Sequence, residues 1–397
     1  MARLEPLKAD SLDSAPGWVA VGGGFVAMFT AFGIAYSFGA FFGPMADEFG
    51  SGRGATSAFF ALTSLTYFGL GALSGAAVDR YGPRRVLLIG AAALGLGLIA
   101  TSQADRLWLA LVTYGLGVGI GVACAYVPML AVVGGWFERR RTLALGIAVT
   151  GIGLGTLAVA PLAAGLIEVL GWRDTYLVFG LAGAAVLVVC AFVVGRPPRT
   201  EQPGALSLGQ AVRDGGYQRL YIAILLVGFP LFVPFVHLPS YAEAQGTGSV
   251  AAAALIGVIG AASIVGRLAL GAVAQRIGLL RAFQGCFLAM AASFGLWLVG
   301  GGYAVLAIFA VILGVGYGGF VALGPAVVAE RFGTQSLGGL LGFLYTSAGI
   351  GSALGAPAAG LLIDATGSFE PAILVCLAVG LAAYAVVFSV RSEGPAA

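Results

Sequence analysis

Long apolar segments alternate with short polar ones along the whole chain of 397 residues. A helix needs about twenty apolar residues to cross the hydrocarbon core of a bilayer, and the pattern contains twelve segments of that kind. Strands of a membrane barrel would alternate in pieces of about ten residues, and no segment does so. We therefore predict an all-α membrane protein with twelve transmembrane helices. They fall near residues 18–45, 55–78, 86–104, 107–135, 142–170, 175–195, 221–245, 249–275, 282–301, 303–329, 336–363 and 371–390.

The composition supports a chain surrounded by lipid. Hydrophobic residues make up 59% of the sequence and charged residues 9%, whereas a soluble domain carries roughly 25% charged residues. The four cysteines fall in four different predicted helices, and no CxxC or Cys/His cluster exists. The sequence thus indicates neither a disulfide framework nor a metal site, and it predicts no cofactor. The net charge of +3 follows from the loops and does not suggest a nucleic-acid partner.

Lysine and arginine are distributed unequally between the two sides of the predicted bundle. Sixteen of the twenty lie on the side of the chain termini, whereas only Arg53, Arg106 and Arg173 lie on the other side. Cytoplasmic loops carry an excess of positive residues. We therefore expect a multi-pass protein of the plasma or inner membrane, with both termini in the cytoplasm.

The two halves of the chain repeat each other at a spacing of 196 residues. "GIAVTGIGLGTLAVAP" from Gly146 recurs as "GFLYTSAGIGSALGAP" from Gly342, and "GAAVDRYGPRR" from Gly75 recurs as "GAVAQRIGLLR" from Gly271. A single spacing that serves separate stretches predicts two pseudo-symmetric halves of six helices each. The predicted divisions are a tail over 1–16, a six-helix bundle over 17–195, a cytoplasmic linker over 196–220, a second bundle over 221–390 and a tail over 391–397.

The stretch "GAAVDRYGPRR" resembles the signature between helices 2 and 3 of the major facilitator superfamily. The resemblance implies the twelve-helix fold of that superfamily and secondary transport by alternating access. An aspartate at a helix end can accept hydrogen bonds from arginines, so we predict a latch between the halves on the cytoplasmic face. Gln275 replaces the aspartate in the second half, and a weaker latch is expected there. The predicted latch comprises Gly75, Asp79, Arg80, Gly82, Arg84 and Arg85.

Three further features resemble the monocarboxylate transporter family within that superfamily. "WFERRRTLALGIAVTGIGLG" over 136–155 is similar to the start of its helix 5, and "APGWVAVGGGF" over 15–25 to its helix 1. Arg267 stands in the place of an arginine in its helix 8. Two positions depart from many animal members, because Ser263 replaces an aspartate and Ala40 a lysine. Their proton path therefore cannot be transferred to this chain.

Arg267 is a charge in an otherwise apolar segment, since no charged residue occurs between Ser249 and Gly266. It precedes Gln275 by eight residues, which places it roughly 12 Å inside the cytoplasmic end of its helix. A buried guanidinium needs an anion or carbonyl groups. All seventeen carboxylates lie in tails, loops or helix ends, so an internal salt bridge is disfavoured. We predict that Arg267 holds a visiting anion through its two-pronged guanidinium.

The remaining polar groups of the predicted helices are few. Tyr36, Tyr126, Tyr317 and Tyr345 could donate their hydroxyls to a bound carboxylate, although packing aromatics would have the same pattern. His237, the one histidine, lies in a proline-interrupted helix 7. It is a candidate for substrate binding and for carrying a proton. A polar gate residue, or a substrate that moves as the neutral acid, remains an equal alternative.

The predicted function is secondary active transport of small monocarboxylates of the lactate or pyruvate type, coupled to protons by alternating access. An enzyme would need paired carboxylates, a metal cluster or an activated nucleophile inside the membrane, and the sequence supplies none. Two alternatives stay open. A drug exporter for cations would favour an acidic cavity, and a dicarboxylate or formate-like anion exchanger would require a second cation, which only His237 could supply. The expected partners are a small organic anion, a proton and the bilayer, and we expect a monomer.

Overall fold

The computed structural model describes residues 12–197, 212–332 and 337–390, and every regular element in these ranges is an α-helix. There are fourteen such helices, which we number in chain order. Their bounds are α1 Ala15–Tyr36, α2 Phe38–Phe49, α3 Arg53–Tyr81, α4 Pro83–Ser102, α5 Leu107–Ala125, α6 Val127–Trp136, α7 Arg141–Val193, α8 Gly215–Leu231, α9 Val233–Ala244, α10 Ser249–Ile277, α11 Leu279–Val299, α12 Tyr303–Phe332, α13 Leu337–Thr366 and α14 Glu370–Phe388.

Three membrane crossings are each made of two helices joined at one residue. The breaks lie at Ser37 between α1 and α2, at Tyr126 between α5 and α6, and at Phe232 between α8 and α9. Pro128 and Pro234 follow two of the breaks at the second helical position. Proline lacks the N–H that a continuous helix would use, which accounts for the breaks at Tyr126 and Phe232.

Within the described residues, ten helical spans are long and apolar enough to cross a membrane, and three of them are the paired helices just described. Another is the helix over Leu143–Val193, with 51 residues, which would extend about 77 Å if straight. The bilayer core is only about 30 Å thick, and Gly171 breaks this helix with a φ of 78°. It therefore crosses twice. The more polar α3, with 29 residues, adds the twelfth crossing, and the predicted twelve-helix fold is confirmed.

The internal repeat is visible in the backbone as well as in the sequence. Helices α3 and α10 each contain 29 residues and begin 196 positions apart, at Arg53 and Ser249. Positive φ angles, which glycine adopts without the steric cost other residues incur, recur at the same spacing. The matched pairs are Gly50 and Gly246, Gly82 and Gly278, and Gly171 and Gly367.

The halves meet along two seams, one between α3 and α13 and the other between α7 and α10. A Cβ atom added to Gly260 would lie 2.5 Å from the carbonyl oxygen of Gly153, and one added to Gly153 would lie 2.7 Å from that of Gly260. Glycine at both positions lets the two backbones touch, as small residues do in membrane helix packing. The seam is therefore sensitive to a single added methyl group.

Most of the predicted linker lies outside the described residues, which resume at 212. The same is true of most of the N-terminal tail and of the residues after 390. Within the described chain, Asp13 connects the start of the first half to the loop before α7. Its carboxylate accepts hydrogen bonds from the backbone N–H groups of Glu138, Arg139 and Arg140 at 3.1–3.4 Å. Desolvation raises the pKa of Asp13, but the hydrogen bonds from these N–H groups lower it by more, so the net shift is downward.

Candidate substrate site

A cavity of about 510 Å³, its opening included, lies between the two halves. Its walls come from the first, second, fourth, fifth, seventh, tenth and eleventh crossings. Nine of its sixteen lining residues are aromatic, and the rest are aliphatic residues and one glycine. The aromatic ones are Phe32, Tyr36, Tyr67, Phe68, Tyr126, Phe232, Phe320, Tyr317 and Tyr345.

Three residues at the helix breaks line this cavity. Tyr36 is the last residue of α1, Tyr126 lies at the break between α5 and α6, and Phe232 lies at the break between α8 and α9. All three line the cavity. Interrupted helices place such sites at mid-membrane in many secondary transporters. The three breaks thus set the depth of the site in the membrane.

The tyrosines predicted from the sequence come together here. The hydroxyls of Tyr36 and Tyr317, from different halves, lie 3.1 Å apart and share a hydrogen bond. The ring of Phe32 contacts both Tyr36 and Tyr126 edge to face, with centroids 5.3 Å apart in each case. Tyr345 lines the same cavity and packs on Phe68.

Arg267 lies beside this cluster without lining the cavity itself. Its Cζ atom is 5.9 Å from the ring centroid of Tyr317, and its Nη1 donates to the carbonyl oxygen of Val149 at 2.8 Å. The residue is 8% exposed, yet its Nε and Nη2 have no hydrogen-bond partner within the described part of the chain. No carboxylate forms an ion pair with it among the described residues. A buried guanidinium with unused donors can accept an anion at small further desolvation cost.

His237 occupies a different place. It is fully buried in α9, where its Nε2 lies 2.9 Å from the carbonyl oxygen of Ala356 and 3.1 Å from the Oγ of Ser57. The Ser57 hydroxyl itself donates to the carbonyl oxygen of Arg53, so Nε2 carries the hydrogen that both neighbours accept. The opposite ring nitrogen, Nδ1, has no partner. His237 is absent from the cavity lining, and it bridges α3 and α13 along one seam.

The predicted latch residues make their described contacts with the first half and with Arg196, the first residue of the predicted linker. Gly75 approaches Val127 of α6, and Gly82 lies against the guanidinium of Arg196. The Cζ of Arg84 lies 4.0 Å from the ring centroid of Phe192. Arg80 and Arg85 are exposed, and the side chain of Asp79 lies outside the described residues. The latch between halves therefore stays a prediction.

The sequence analysis missed two residues, one in the cavity lining and one beside His237. Tyr67 lines the cavity with a buried hydroxyl that has no partner, and Ser57 supplies the contact to His237. Both lie in the least apolar crossing, where polar side chains are common and carry little signal. A full inventory of intramembrane tyrosines would have found Tyr67, whereas only the packing of α3 on α13 reveals the role of Ser57.

Comparisons with known proteins agree with this arrangement. A family model described as Major Facilitator Superfamily matches residues 24–308 and 270–397. The chain is 32% identical to Monocarboxylate transporter 3 of Rattus norvegicus, over 90% of this chain and 76% of that protein. It is 30% identical to Monocarboxylate transporter 13 of Bos taurus, over 96% of this chain and 91% of that protein. The chain belongs to the monocarboxylate transporter family of the major facilitator superfamily.

A solved structure of the nucleoside transporter NupG has the same fold as this family member. It aligns with a TM-score of 0.74 and 14% sequence identity, and it covers 94% of this chain and 100% of its own. The predicted superfamily, family and transport role are thus confirmed. The protein is a multi-pass membrane transporter. The resemblance over 75–85 identified its superfamily correctly, and those over 15–25, over 136–155 and at Arg267 identified its family.

Proposed function

We propose that this transporter is a proton-coupled symporter of small monocarboxylates, with Arg267 as the carboxylate-binding residue. The observation that carries the proposal is the state of that side chain. It is buried, it lies next to the tyrosine cluster, and two of its nitrogens have no partner. A carboxylate can accept two parallel hydrogen bonds from one guanidinium. When the halves separate around the cavity, these donors become the site for an incoming anion.

The number of charges at the site favours monocarboxylates over the alternatives. Arg267 is the cation beside the cavity, and the lining contains no acidic residue. A cationic drug would meet an unfavourable positive charge there. A dicarboxylate would bring a second negative charge for which the lining offers no cation, since His237 lies at the seam. The names of the relatives, which are called monocarboxylate transporters, support the same choice.

We further propose that the anion moves together with one proton. An anion that crossed alone would have to move a negative charge against the membrane potential, at about 2.3 kcal/mol per 100 mV. The cavity lining has no carboxylate or histidine that could carry the proton. Two carriers remain, namely the substrate carboxyl itself and His237. If His237 carries it, the proton passes along the seam between α3 and α13 and not through the cavity.

The proposed setting is the plasma or inner membrane, with both termini in the cytoplasm and a monomer as the working unit. The excess of lysine and arginine on the terminal side supports that orientation. The site is formed by helices of a single chain, so no second subunit is needed to complete it.

Uptake into proteoliposomes tests the proposal. Purified protein should accumulate labelled pyruvate or lactate when the external side is made acidic, and Arg267→Gln should abolish that uptake. Arg106→Gln is the control for loss of an arginine, because Arg106 lies exposed at the start of α5. Normal uptake by Arg267→Gln would contradict the assignment of the binding residue.

A further inference from the structure

The chemistry of the cavity wall bears on which monocarboxylate it holds. Beside the five tyrosines, every lining residue is apolar, and four of them are phenylalanines. The hydroxyls of Tyr36 and Tyr317 are already bonded to each other. This leaves the hydroxyls of Tyr67, Tyr126 and Tyr345 as polar groups of the wall. A hydroxyl or second carboxylate on the substrate body would give up its water and could replace it only with these three partners. An apolar body would gain from burial against this wall.

We propose that the transporter prefers monocarboxylates with a ring or a branched apolar body over three-carbon acids. Aromatic rings pack edge to face or offset against one another, and the wall presents such faces from both halves, for example Phe32 and Phe232. Arg267 would hold the carboxylate while the body lies among the rings. This inference rests on the proposed monocarboxylate function and narrows its substrate class.

The cleanest test compares pyruvate with phenylpyruvate, because the two acids share a head group and differ by one phenyl ring. Each acid, unlabelled, competes with labelled pyruvate for uptake by the purified transporter in proteoliposomes. Burial of the ring should make phenylpyruvate at least tenfold tighter. Phe232→Leu should reduce that ratio severalfold, whereas Phe388→Leu should not, because Phe388 is 64% exposed and lies outside the cavity lining.

The outcomes separate the two proposals. Equal affinities, or tighter binding of pyruvate, would overturn the substrate preference and leave monocarboxylate transport standing. Failure of both acids to bind or to be taken up would overturn the proposed function itself. An unchanged ratio in Phe232→Leu would show that the ring does not lie in this cavity.

A second, independent observation concerns the membrane face opposite the chain termini. The Oδ2 of Asp364, near the end of α13, accepts a hydrogen bond from the backbone N–H of Gly54 at 3.0 Å. Glu168, at the matching place in α7, accepts a hydrogen bond from the hydroxyl of Ser249. Asp364 follows Glu168 by 196 residues, the spacing of the internal repeat. Each contact joins a carboxylate of one half to the first turn of a helix in the other half.

We infer that these two contacts form a symmetric clasp that holds the opposite face closed. A helix N-terminus carries partial positive charge and unused N–H groups, so each carboxylate is placed against a favourable partner. Both acids are exposed, so water can replace the contacts when the halves rock. Close approach at Gly54 and Gly360, where an added Cβ would lie 2.6 Å from Leu361 or Arg53, brings α3 within reach of Asp364.

Labelling of a cysteine at Ala356 tests the clasp, because this position is fully buried between the halves. Asp364→Asn and Glu168→Gln should each raise its labelling rate from the opposite face by roughly two- to fivefold. The double variant should approach the product of the two effects. Asp174→Asn is the control, because this acid is exposed and takes part in neither contact. An unchanged rate in the double variant would overturn the clasp.

Discussion

Replacing Arg267 should weaken substrate binding without lowering the stability of the empty transporter. Hydrogen bonds to charged groups contribute about 1.5–3 kcal/mol, so loss of one in Arg267→Gln should weaken the Kd roughly tenfold to 150-fold. Arg267→Lys keeps the charge but cannot make the paired contact, and it should weaken binding nearly as much. Removing the cation should not destabilise the empty transporter, because two of its nitrogens lack partners.

Thermal unfolding of the purified transporter, with and without substrate, measures both effects. At a ligand concentration of 100 times the Kd, the wild type should gain about 2.7 kcal/mol of stability. A tenfold weaker variant should gain about 1.4 kcal/mol, and a 150-fold weaker variant almost nothing. Without substrate, Arg267→Gln should unfold at the wild-type temperature or above it. Full substrate stabilisation in Arg267→Gln would refute this assignment, provided that Arg106→Gln behaves as wild type.

The other expected outcomes concern the moving parts. Gly260→Ala should slow transport strongly, because its methyl group would lie 2.5 Å from the Gly153 oxygen. Gly295→Ala, whose methyl group would meet no atom within 4 Å, should transport normally, and equal rates of the two variants would contradict the seam. His237→Gln should lose proton-driven accumulation if this histidine is the obligatory carrier, and retained accumulation under an imposed gradient would assign the proton to the substrate. Cysteines at Gln245 and Gln275, both exposed, should react from opposite sides of the membrane, and labelling from the same side would refute the topology.

The crossings could be predicted from hydrophobic runs because each one obeys the same length requirement. The repeat was equally accessible, since duplication leaves the same spacing in sequence and backbone. The isolation of Arg267 followed from an inventory of carboxylates. The structure adds that its neighbour on the other half is a backbone carbonyl, that of Val149. No residue pattern specifies a partner of this kind.

The side-chain direction of His237 could not be predicted from the sequence. Counting residues along a helix gives depth in the membrane, but not the direction in which a side chain points. His237 and Tyr317 were both candidates for the cavity, yet only Tyr317 lines it. The break after Tyr36 was also hidden, because Ser37 gives no proline signal there. Directions around a helix axis depend on contacts between crossings far apart in sequence, which a single sequence does not show.

Uptake under an imposed proton gradient tests most directly whether this family member couples a monocarboxylate to a proton. Proteoliposomes holding the purified protein are given labelled phenylpyruvate or pyruvate with an inward proton gradient, and then with a protonophore. We expect accumulation above the external concentration, which the protonophore collapses to equilibration. Uptake no faster than in protein-free liposomes would contradict monocarboxylate transport. Uptake that is the same with and without the proton gradient would contradict the coupling.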